Sequence, residues 1–123
     1  MNQSAQQTDL DLIDRYVAVC NEALRLNRDR FPFRQIWNAL NANQQDYKSY
    51  IYITDGDYID KRCYIFQSND QGITSHLVQA PENNKAKRCW YLPLAYLTTV
   101  TNDPQTYINN PALLDWGWLH SDF

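Results

Sequence analysis

The chain is poor in the residues from which compact chemical sites are built. It has three glycines, Gly56, Gly72 and Gly117, each isolated. A phosphate-cradling loop needs clustered glycines whose N–H groups converge on the ligand, so P-loop and dinucleotide-binding sites are disfavoured. Three cysteines, Cys20, Cys63 and Cys89, stand at long spacings with no CxxC. Zinc ribbons and thioredoxin-like centres lack their main signature, and reduced thiols in a cytoplasmic compartment are the simplest account. HExxH and GxSxG are missing as well. No cofactor and no metal is therefore expected. No apolar run approaches the roughly 20 residues that span a bilayer. The start, MNQSAQQTDLDL, has neither the basic nor the apolar region of a signal peptide. Basic charge is scarce toward the end, with no Lys or Arg after Arg88. The net charge of −3 opposes non-specific attraction to nucleic acid or an anionic membrane, so neither is expected as a partner.

What remains is ordinary globular material with an aromatic excess. The 123 residues form one expected domain, 8–123, behind a disordered tail at 1–7, and a chain of this size buries about two-thirds of its surface. Nine Tyr, four Trp and four Phe supply large apolar bodies, and most of them carry polar tips that suit half-buried sheet faces and recognition surfaces alike.

Periodicity divides the chain. Thr8 is placed to cap a helix in which Leu10, Ile13, Val17, Cys20 and Leu24 recur at steps of three and four, ending near Arg28. Pro32 suits the first turn of a second helix, with Phe33, Ile36, Trp37 and Leu40 on one face. The period then changes to two. Residues 50–54, 58–67, 73–79 and 88–92 read as strands. Asp55-Gly56 is a hairpin signal between the first two, and residues 68–72 are turn chemistry between the next. Helical spacing returns at Leu94, Leu97 and Val100. Asp103-Pro104 and Asn110-Pro111 each pair an N-cap residue with proline at the first helical position, predicting short helices at 104–109 and 111–118. The expected fold is α+β: two N-terminal helices, an antiparallel β-meander of three to four strands, and short C-terminal helices packed on the sheet.

Five groups of residues are candidates for chemistry or binding. Asp55, Asp57 and Asp60 could offer oxygens to a cation, but their spacing does not fit an EF-hand loop, and turn and edge positions explain them better. A turn centred on Asp55-Gly56 sets Ile51 against Asp60, which demands a bulge near Asp60 or a short ladder. A turn centred on Asn69-Asp70 sets Cys63 across from His76, the pairing of a thiolate nucleophile with its base. A turn at Gln71-Gly72 would pair Cys63 with Ala80 and dissolve that dyad. His120, Ser121 and Asp122 hold the residue types of a triad but are adjacent in sequence. Arg25, Arg28, Arg30 and Arg34 form a weak anion-binding cluster, diluted by Asp29 and equally explained as favourable charge at a helix end. The acidic, aromatic end, with Trp116, Trp118 and Phe123, joins Tyr50 and Tyr52 as the candidate partner-binding surface. Folding back onto the domain's own sheet is the competing account of the tryptophans.

These observations favour a small non-enzymatic protein-binding module: an inhibitor, immunity protein, adaptor or chaperone-like protein. A small enzyme or ligand binder with a sheet-lined pocket around Cys63 and His76 is the alternative.

Overall fold

The architecture was determined from a computed structural model, in which residues 5–30, 33–44, 48–80 and 88–121 are described. α1 (Ala5–Leu26) begins three residues before the expected cap at Thr8 and is followed by a 3-10 turn (Arg28–Arg30) and α2 (Arg34–Asn43). The strands β1 (Ser49–Asp55), β2 (Tyr58–Asn69), β3 (Gly72–Val78) and β4 (Arg88–Pro93) follow. α3 (Leu94–Asn102), α4 (Pro104–Asn109), a 3-10 helix (Pro111–Asp115) and β5 (Leu119–Ser121) complete the order. The chain is thus α+β, with its helices packed on a sheet.

The sheet is mixed, in the order β3-β2-β1-β4-β5. β1, β2 and β3 form the antiparallel meander. β4 was expected to extend it but instead lies parallel to β1, with Tyr50 opposite Cys89 and Tyr52 opposite Tyr91. This placement seats β4 on the free edge of β1, and β5 then pairs antiparallel with β4. A parallel neighbour needs a long connection, and residues 56–87 between β1 and β4 supply one.

Both hairpin turns sit one residue later than the strongest local signals indicate. The first is Gly56-Asp57, because Asp55 pairs with Tyr58, and Gly56 takes the positive φ of 62° that its missing Cβ allows. The second is Asp70-Gln71, closed by Asn69 opposite Gly72. β2 then bulges. Thr54 pairs with Ile59 while Tyr52 pairs with Cys63, so residues 60–62 all oppose Ile53. The bulge removes the conflict over Ile51, which pairs with buried Tyr64 and not with Asp60.

One face of the sheet carries the core. Ile51 and Ile53 of β1, Tyr64 and Phe66 of β2, Ile73 of β3 and Trp90 and Leu92 of β4 cluster with Leu12, Ile13, Tyr16, Val19, Cys20 and Ala23 of α1. α2 adds Phe33 at its start, then Ile36, Ala39 and Leu40, while Trp37 of the expected stripe stays 48% exposed. Leu97, Val100, Ile108 and Leu114 close the cluster from the C-terminal elements. Each buried aliphatic side chain contributes about 1.5–3 kcal/mol relative to exposure.

Long-range polar contacts fix how the elements meet. The Asn21 amide of α1 accepts from the Ile73 N–H at 2.6 Å and donates to the Ile73 carbonyl at 2.9 Å. It stands in for the neighbour that edge strand β3 lacks. The Asn43 amide at the end of α2 accepts from the Ser49 N–H at 2.7 Å and donates to the Phe66 carbonyl, bridging the start of β1 to β2. Asp115 caps α2 from eighty residues away, its carboxylate accepting from the Gln35 N–H at 2.6 Å and from the Arg34 N–H. By contrast, Asp103 and Asn110 make no side-chain cap bond, although α4 and the following 3-10 helix both begin at the expected prolines.

Candidate functional site

The opposite sheet face carries four of the candidate residues, Tyr50, Tyr52, Cys63 and His76. Side chains alternate across a strand, so placing Ile51 and Ile53 against the helices sends Tyr50 and Tyr52 to the other side. Strand pairing extends this into a row across four strands: Val78, Cys63, Tyr52 and Tyr91 are successive partners. Beside it lie Ile65 opposite His76, and Tyr50 opposite Cys89. Apart from Ala42, the buried residues of the described helices belong to the core cluster. Cys63, Ile65 and Cys89 are buried but belong to no part of that cluster.

Tyrosines dominate this face. The Tyr52 and Tyr91 rings lie 6.0 Å apart at 30°, and both are half-buried, as is Tyr50. Burial raises the Tyr52 and Tyr91 hydroxyls above their ordinary pKa, with the neighbouring Cys63 adding to the effect on Tyr52 and Cys89 to that on Tyr91. At neutral pH both are neutral hydrogen-bonding groups on an apolar body, the combination that favours tyrosine at recognition surfaces. None of the assigned face positions from Tyr50, Tyr52, Cys63, Ile65, His76, Val78, Cys89 and Tyr91 is an acid, Lys or Arg. Exposed Asp55, Asp57 and Asp70 occupy the turns at the strand ends.

The candidate cysteine–histidine dyad is not formed. Cys63 stands opposite Val78, and His76 opposite Ile65, because the turn centres on Asp70-Gln71. The His76 ring also turns toward Thr74, with Nε2 3.3 Å from the Thr74 hydroxyl, on the side away from Cys63. Burial pushes the Cys63 thiol up to about 11, opposed in part by its hydrogen bond with Tyr52. A thiol of that pKa is almost wholly protonated at neutral pH and is a poor nucleophile.

The C-terminal aromatics divide. Trp118 is core: it packs edge-on against Phe66 and Trp90, with centroids at 5.9 and 6.3 Å, and its indole N–H donates to the Tyr16 hydroxyl at 2.8 Å. Tyr16 in turn donates to the Leu114 carbonyl. Trp118 is therefore removed from the candidate partner-binding surface and folds back onto its own domain, the competing account of the tryptophans. Trp116, two residues earlier, is 76% exposed. It follows directly on Asp115, the cap of α2, whose first turn carries exposed Trp37. Phe123 and Asp122 lie outside the described residues, and so do the side chains of His120 and Ser121. Tyr91, Trp37 and Asp115 were missed as site or anchoring residues. The register of β4 alone reveals Tyr91, and only the tertiary fold reveals the other two.

The arginine cluster does not converge. Arg25 pairs with Glu22 on the exposed side of α1. Arg25 and Arg28 line a cleft of about 470 Å³ between α1 and the Asp70-Gln71 turn, which Glu22 and Asp70 share. Arg34 stands at the start of α2 beside Asp115. The Arg30 side chain lies outside the described residues. Among the described residues no three His, Cys, Asp or Glu groups gather as a metal site, and no helix is long and apolar enough to cross a membrane. Comparison with protein families, curated proteins and solved structures finds no match.

Proposed function

We propose that the protein is a non-enzymatic binding module that recognises another protein through the tyrosine face of its sheet, opposite the described helices. The observation that supports this reading is the row Val78, Cys63, Tyr52 and Tyr91, uncharged and flanked by Tyr50 and Ile65, on the face opposite the helical layer. Tyrosine presents large contact area with few rotatable bonds, so it binds at low entropic cost. The acids at the surrounding turns favour a partner with a basic rim. Three unpaired buried thiols suit a reducing, cytoplasmic setting.

The test is quantitative capture from the native host, followed by titration of the purified binder. Tyr52→Thr combined with Tyr91→Thr keeps strand-forming residues while removing both rings. The expected result is a partner whose dissociation constant weakens at least about tenfold with the double variant. The circular dichroism of the variant should stay native. Equal binding by both proteins would remove the tyrosine face from the function.

A further inference from the structure

We draw no further inference here: the strongest candidate, the cleft of about 470 Å³ between α1 and the Asp70-Gln71 turn, is lined by exposed and half-buried side chains of both charge signs, and nothing among the described residues shows what would occupy it.

Discussion

At the scale of single residues, the fold depends on side chains that complete backbone hydrogen bonding where a helix or ladder stops. Asn21 satisfies both polar groups of Ile73, and Asn43 spans the opening between Ser49 and Phe66. Asn27 donates to the Ile108 carbonyl at 3.1 Å and ties the end of α1 to α4. An amide carries donor and acceptor on one rigid plane, so it can imitate a peptide unit; a hydroxyl or carboxylate cannot do both in that geometry. The opposite kind of demand, for no side chain at all, falls on Gly117. A Cβ there would run into the Tyr96 ring, whose hydroxyl is held by the Leu113 carbonyl at 2.9 Å. The ring cannot swing away without breaking that bond, and Gly117 sits between exposed Trp116 and buried Trp118. Gly117→Ala is expected to destabilise the fold by about 1–3 kcal/mol through overpacking. Urea unfolding would measure this, and combining it with Tyr96→Ala should cost less than the sum of the two changes. Additive losses would show that the ring is not what Gly117 accommodates.

At the scale of elements, α2 illustrates what local sequence can and cannot convey. Its apolar spacing is plain in Phe33, Ile36 and Leu40, yet its N-terminus has no cap within reach, since Phe33 supplies no side-chain bond. The cap comes from Asp115, and the same bonds anchor the 3-10 helix that leads to Trp118. Burial raises the Asp115 carboxyl above its usual range, and the N–H groups of Gln35, Arg34 and Ile36 partly oppose that. Asp115→Ala should cost about 1–2 kcal/mol. It should also speed hydrogen exchange at Arg34 and Gln35, with Asp115→Asn falling between. Unchanged exchange at those amides would mean that the cap is dispensable. The same division runs through the molecule. Helical and strand periods, the prolines at 104 and 111, and the existence of both hairpins are local properties and were legible. Turn register was not, because Asp-Gly and Asn-Asp mark a bend without choosing which two residues make it. That single-residue ambiguity decided whether Cys63 faced His76. The parallel seat of β4, and with it the partnership of Tyr52 and Tyr91, depends on which sheet edge the returning chain occupies, a choice made by packing.

At the scale of the whole molecule, burial of acidic groups in their neutral form couples the fold to alkaline pH. Cys20 is held at about 12 by burial, partly opposed by its bond with Tyr16, and Cys63 at about 11. Tyr16 and Tyr96 are also raised, chiefly by burial. Each of these groups has a folded pKa above its unfolded value, where a thiol ionises near 8.5 and a phenol near 10. The folded state therefore retains protons that the unfolded chain gives up. Their contribution is fully present below the unfolded pKa and is lost as pH rises toward the folded one. The window opens near pH 8.5 for the thiols and near 10 for the tyrosines, with a limiting slope of about 1.4 kcal/mol per pH unit for each group. General repulsion in an acidic chain acts in the same direction, so the distinguishing measurement is differential. Urea midpoints of wild type and Cys20→Ala, taken from pH 7 to pH 11, should converge as pH rises. The variant starts lower because it leaves a cavity, but it lacks one ionisable group and loses stability less steeply. Parallel curves would place the alkaline sensitivity in net charge alone and detach it from the buried thiol.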